Sequence, residues 1–171
     1  MATIREGDRK VLLVLDAQIG VMRKLRNEQS VIKNIDIAVD KARNHSVPVI
    51  WVQHSDEEHI YESPDWDLIA ALEPKIEETR INKHFNSSFE QTTLEKTLAN
   101  LGATHLFLAG AATNWCIRAT ASAALDCGYD LTLISDAHTT ESIKLKNDIM
   151  IEAESIVHEL NIVADWLSYP G

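Results

Sequence analysis

Short apolar runs without polar alternation return along this chain and are separated, for the most part, by segments whose apolar residues recur every three to four positions. The runs are "KVLLVLD" (Lys10 to Asp16), "VPVIWVQH" (Val47 to His54), "THLFLAG" (Thr104 to Gly110) and "DLTLISD" (Asp130 to Asp136), with the more polar "ETRINK" (Glu78 to Lys83) as a weaker third in chain order and "NIVA" (Asn161 to Ala164) as a short sixth. An apolar run of this length reads as a strand covered on both faces, which is what a parallel sheet buries. Val31, Ile32, Ile35, Ala38, Val39 and Ala42 form one helical face. Thr92 and Glu95 fit a capping box ahead of Leu94, Leu98 and Leu101, and Ile117, Ala121, Ala124 and Leu125 mark a further helix that Gly128 ends. Ile149, Ala153, Ile156, Val157 and Leu160 mark the last. Strand and helix in alternation predict an α/β fold, a three-layer α-β-α sandwich around a mostly parallel, Rossmann-like sheet of about six strands. The segment "SDEEHIYESPDWDLIAALEP" breaks the rhythm and reads as a loop with a short helix near Trp66 to Leu72. Such an excursion after a strand often covers a site.

The length of 171 residues suits a single domain over 1–171 with a sizeable core. No repeat, linker or low-complexity tract divides it. The net charge of -10 argues against nucleic acid and anionic membrane as partners, because both need a basic footprint. It also disfavours steering of anionic small molecules, unless a local pocket opposes the global field. The start "MATIREGDRK" has no apolar signal-peptide core and no run reaches membrane-spanning length, so a reducing cytoplasm is expected. The two cysteines, Cys116 and Cys127, suggest neither a zinc site nor a disulfide framework.

Open parallel sheets bind ligands beyond the carboxyl ends of their strands. At those ends stand Asp16, His54, Lys83, Asp136 and His138, with Cys116 across a short turn from the fourth run. Each has a plain structural reading. A strand-end Asp commonly caps an edge, a Lys is commonly solvated, and a lone Cys is commonly a small buried hydrophobe. Asp16 lacks the second acid two residues on that a phosphotransferase would want, since the run reads Asp16, Ala17, Gln18. Cys116 differs from a plain filler in its placement. Thr113 and Asn114 are good N-cap residues, so Cys116 falls in a first helical turn, where free N–H groups and the helix dipole stabilise a thiolate. Backbone donors there are also placed for the oxyanion of a tetrahedral intermediate. Cys127, late in the helix, reads as core. His54, Asp56 and His59 cluster in one loop, where a solvated loop explains them better than a zinc site. His138 reads equally as pocket rim or as structure.

These segments resemble the isochorismatase-like cysteine hydrolase superfamily, which includes nicotinamidase, N-carbamoylsarcosine amidase, ureidoacrylate and maleamate amidohydrolases, streptothricin hydrolase and isochorismatase. "VLLVLDAQ" is similar to the family's first strand, "INKHFNSSF" to its lysine segment and "GAATNWCIRATASAALDCGYDLTLISDA" to its nucleophile segment. The resemblance implies that Asp16, Lys83 and Cys116 are a catalytic triad. It implies a cis peptide between Ala111 and Ala112, and an oxyanion hole from the N–H groups of Ala112 and Cys116. The implied reaction is covalent hydrolysis of an amide-type C–N bond through a Cys116 thioester, with no cofactor. Nicotinamidases carry an Asp-x-His pair after the second strand and bind a metal there. "WVQHSDEEH" lacks that pair, so no metal is expected, although His54 and Asp56 keep part of a ligand set. Isochorismate-cleaving members act on a vinyl ether and do not need the thiol, so the retained Cys116 favours amide chemistry. A non-catalytic binding homologue need not keep all three residues. By position, Gln18, Trp66, Phe85, Phe89 and Trp115 are expected to line the substrate pocket. The resemblance also implies a homo-oligomer, a dimer or larger.

Overall fold

The computed structural model describes residues 5–167. Five strands build one sheet: β1 (Arg9–Leu15), β2 (Val49–His54), β3 (Thr79–Lys83), β4 (Ala103–Ala111) and β5 (Asp130–Thr139). They lie in the order β3-β2-β1-β4-β5 and every neighbouring pair is parallel. Val11 through Leu15 of β1 are buried on both faces, as the unbroken apolar run demands of a central strand.

The helices divide unequally over the sheet. On one face α3 (Leu94–Leu101), α4 (Arg118–Asp126) and α5 (Ala153–Leu167) pack over Val11, Leu13, Leu15, Ile50, Val52, Leu106 and Leu108. The other face takes α2 (Glu28–Asn44), whose Val31, Ile32, Ile35, Val39 and Ala42 meet Leu12, Val14, Val49 and Trp51. Leu68 and Leu72, from the long segment between β2 and β3, extend that cover. A short helix, α1 (Ile19–Met22), follows β1. A small antiparallel pair, β6 (Ile143–Lys144) and β7 (Met150–Ile151), stands apart from the sheet.

Four local expectations are corrected. "NIVA" is not a strand but the interior of α5, because Ile156, Leu160 and Ala164 are buried at helical spacing. Ile149 lies outside that helix and is exposed. No helix forms near Trp66 to Leu72. The peptide groups there bond to the segment after β1 instead: Ile19 N–H to Asp67 O, Gly20 N–H to Asp65 O, and Ile69 N–H to Ala17 O, at 2.8–3.0 Å. The capping box does not close. Thr92 Oγ1 accepts from Leu94 N–H at 3.2 Å, while Glu95 pairs with Arg5.

The strand order reverses between β1, which leads outward to β2 and β3, and β4, which leads to β5. That switch point leaves a crevice at the carboxyl ends. Asp16 ends one lip and Cys116 follows the other.

Candidate active site

β1 and β4 approach closely where the crevice opens. Gly110 pairs with Leu15 at φ 121°, and a Cβ there would stand 1.9 Å from Leu15 O. Only glycine lets the two backbones meet so near. One residue beyond β1, Asp16 adopts φ 49°, a left-handed conformation that Asp tolerates better than most side chains. Its N–H is fixed by Val52 O at 2.8 Å. Beyond β4 the Ala111–Ala112 peptide is cis. The chain then makes one wide turn, Thr113–Ile117, in which Ile117 N–H reaches Ala112 O at 3.2 Å. Cys116 sits in that turn, 8 % exposed. Thr113 and Asn114 do not cap it through their side chains. Thr113 Oγ1 is bonded to His138 Nδ1 at 2.9 Å, and Asn114 Oδ1 accepts from Thr140 Oγ1.

Lys83 comes from β3, two strands from β1, so its side chain must cross roughly 10 Å at ordinary strand spacing. A long stem with a charged tip can do so, and it is buried along its whole length. Its Nζ lies 2.9 Å from Asp16 Oδ2, 3.1 Å from Cys116 Sγ, 3.1 Å from Phe85 O and 3.2 Å from His54 Nδ1. Burial pushes the Lys83 ammonium toward neutrality, and Asp16 and Cys116 outweigh it, so the group stays charged above its ordinary range. Burial, then Asp16, push the Cys116 thiol up to about 12, against Lys83. Lys83 is thus held as the ammonium and Cys116 as the thiol. At Cys116 burial and the adjoining Asp16 outweigh Lys83, so the thiolate that a first helical turn favours needs a base to take its proton. Asp16 Oδ1 is buried without a hydrogen-bond partner, so the carboxylate keeps one acceptor free.

His54 joins this group from the end of β2. Its Nδ1 faces the lysine, and its Nε2 lies 3.1 Å from Asp56 Oδ2. Burial and then Lys83 lower its pKa, which makes it a neutral imidazole with a bare Nδ1 at neutral pH. Asp56 in turn binds His59 Nδ1 at 3.0 Å. Among the described residues no set of three His, Cys, Asp or Glu converges as metal ligands would.

The family model described as the isochorismatase domain matches residues 10–163. The chain belongs to the isochorismatase family. Isochorismatase family protein YrdC of Bacillus subtilis (strain 168) is 31% identical over 162 residues, covering 91% of this chain and 86% of the relative. Ureidoacrylate amidohydrolase RutB of Variovorax paradoxus (strain S110) is 34% identical over 104 residues, 60% of this chain and 41% of that protein. The crystal structure of an isochorismatase from Pseudomonas putida KT2440 superposes with a TM-score of 0.85 at 29% identity, covering 93% of this chain and 87% of that one. The family is hydrolytic.

In this isochorismatase-family chain, Asp16, Cys116 and Ala112 line a cleft of about 430 Å³ together with Trp115, Asn86 and His54. Of the five residues expected to line a pocket, Trp115 alone is on its wall, with 53 % of its surface exposed. Gln18 is a buried clamp. Its Nε2 donates to His54 O and Trp66 O, each at 3.0 Å, and its Oε1 accepts from His54 N–H at 2.7 Å. Trp66 donates to Asn82 Oδ1 at 3.3 Å and packs on Tyr61. Phe85 contributes its carbonyl to Lys83, not its ring to the cleft. Phe89 packs against the core with its ring 5.9 Å from Tyr129. Position near a strand end brought these residues close, but side-chain direction decides what a wall is made of.

Lys24 and Glu58 join the lining without having been expected there, and two further contributors are new as well. Asn86 Oδ1 lies 3.8 Å from Cys116 Sγ, and Glu141 stands on the rim. Asn86 carried a signal in the polar loop after Lys83; Glu141, past β5, carried none. His138 is not at the rim. It is buried beside the Thr113–Ile117 turn, between Thr113 Oγ1 and Asn161 Oδ1 at 2.9 Å each.

Proposed function

We propose that this protein is a cysteine amidohydrolase that cleaves an amide-type C–N bond of a small molecule through a Cys116 thioester. The observation that carries the reading is the buried Lys83 ammonium, within 3.1 Å of both Asp16 and Cys116 Sγ, beside a carboxylate oxygen with no partner. A thiol that rests protonated needs a base at the moment of attack, and Asp16 Oδ1 is the free acceptor. As the Cys116 sulfur attacks the carbonyl carbon, its proton passes to Asp16. Lys83 stabilises the charge on sulfur, and the N–H groups of Ala112 and Cys116 receive the oxyanion. The tetrahedral adduct collapses, the C–N bond breaks, and Asp16 returns the proton to the leaving nitrogen. Water then attacks the thioester with Asp16 as base, releasing the acid and restoring the thiol. The similarity to the Variovorax ureidoacrylate amidohydrolase supports this bond type. Among the described residues no helix is long and apolar enough to span a membrane, and we take the enzyme to act in the cytoplasm. We take it to act as a homo-oligomer.

An ammonia-release screen over primary amides, ureides and lactams tests the reading. Cys116→Ala is expected to abolish release from every amide that the wild type turns over. Full turnover in that variant sinks the thioester mechanism, and turnover of isochorismate by it moves the chain to vinyl-ether chemistry.

A further inference from the structure

The charge on the cleft wall is one-sided. Asp16, Asp56, Glu58 and Glu141 line it, against Lys24 as the one ammonium and no guanidinium. Lys24 is itself bound to Glu58 at 3.2 Å, and Lys83 behind the wall is held by Asp16. Glu141 makes no ion pair among the described residues. Asp56 stays ionised: burial pushes it up, but the N–H groups of His59 and Glu58 and the His59 ring outweigh that. His54 adds no charge at neutral pH. Two further features point to what the wall receives. Asp16, buried and with one carboxyl oxygen unpartnered among the described residues, is itself part of the lining and supplies no donor to a substrate anion. The exposed Trp115 indole offers a π face, which attracts cations. The local field also has the same sign as the net charge of -10, so the pocket reinforces the field of the whole protein and does not oppose it.

We propose that the cleft selects an amide bearing a positive charge near the scissile carbonyl, an ammonium or guanidinium, and rejects carboxylates. This rests on the amidohydrolase reading of the same site. Glu141 and Asp56 attract the cation and Trp115 covers it, while the neutral amide reaches Cys116. A substrate carboxylate would find no unpaired cation on the wall.

The charge preference can be read without hydrolysis. In a Cys127→Ala background the one remaining thiol, Cys116, is modified with a cationic methanethiosulfonate (trimethylammonioethyl) or an anionic one (sulfonatoethyl); each forms a mixed disulfide and releases methanesulfinate. The cationic-to-anionic rate ratio is expected to exceed that of a free thiol by about tenfold at low ionic strength. It should shrink toward the free-thiol value in about 0.5 M salt and fall in Glu141→Gln. A ratio at or below the free-thiol value, or one that Glu141→Gln leaves unmoved, overturns the inference. Hydrolysis is measured beside it with β-alaninamide, butyramide and succinamate. The expected order of kcat/KM follows that sequence. Cys116-dependent hydrolysis that prefers succinamate overturns the charge inference and leaves the amidohydrolase reading standing. A cationic labelling bias without Cys116-dependent ammonia release from any amide does the reverse.

Discussion

Lys83 is the residue on which the others depend. A buried ammonium with a buried carboxylate is stable only as a pair, since either charge alone has lost its water. Lys83→Met keeps the length and apolar stem but leaves Asp16 uncompensated, and it should cost about 3–5 kcal/mol in urea unfolding. Adding Asp16→Leu to that variant should recover part of the loss, because no charge is then stranded; a double variant no more stable than Lys83→Met would show that the pair is not what holds this region. Asp16 and Cys116 stood out in the chain because one closes and the other follows an apolar run, whereas Lys83 closes a largely polar strand and joins them as a set through the family resemblance. The state of the thiol was not readable. A first-turn cysteine argues for a thiolate, whereas burial and the neighbouring Asp16 push the Cys116 thiol up. Gln18 shows the converse limit. Its place two residues past Asp16 was right for a pocket wall, yet its amide is fully engaged with His54 and Trp66.

The elements around the nucleophile turn form a strut. Asn161 from α5 bonds His138 at the end of β5, and His138 bonds Thr113 at the start of the turn. Asn161 Nδ2 also donates to Ser135 O at 3.0 Å. Asn161→Ala removes both contacts and leaves the His138 Nε2 buried without its partner, a change of about 1–3 kcal/mol. Measured by thermal unfolding, that loss should appear together with a lower kcat, since the turn that carries Cys116 loses its support. Unchanged kcat in a destabilised variant would confine the strut to folding. "NIVA" reads wrongly as a strand because three apolar residues in a row, Ile162 to Ala164, satisfy either period, and the choice is made by Ile156, Leu160 and Ala164 lining one helical face against the sheet. The loop after β2 misleads for a related reason, because its backbone finds partners near Ala17 and Ile19 rather than within itself.

At the scale of the whole molecule, stability should rise with pH from the acid side to neutrality. Burial lowers the pKa of His138, and burial with Lys83 lowers that of His54. Below about 6.5 the unfolded chain takes up these protons before the folded one does, so stability falls as pH drops. Glu78 extends the fall further into acid. Burial pushes its carboxyl up, but Arg43, Trp51 and the Lys75 N–H outweigh that and hold it below its ordinary value, so its contribution is lost as pH passes beneath about 4.5. Urea midpoints at a series of pH values check both limbs; a midpoint flat between pH 5 and 7 would deny the histidine contribution. The parallel sheet was legible because doubly buried strands have no polar alternation to hide. The order of its strands was not, since nothing local tells β1 which neighbours to take. That order has a consequence for synthesis. Leu15 leaves the ribosome early and waits for Gly110, its partner across the switch point. Until β4 docks, one edge of β1 is open and Asp16 has no thiol beside it. The step that seals the edge also delivers Cys116, so a half-made chain does not yet bring Asp16, Lys83 and Cys116 together.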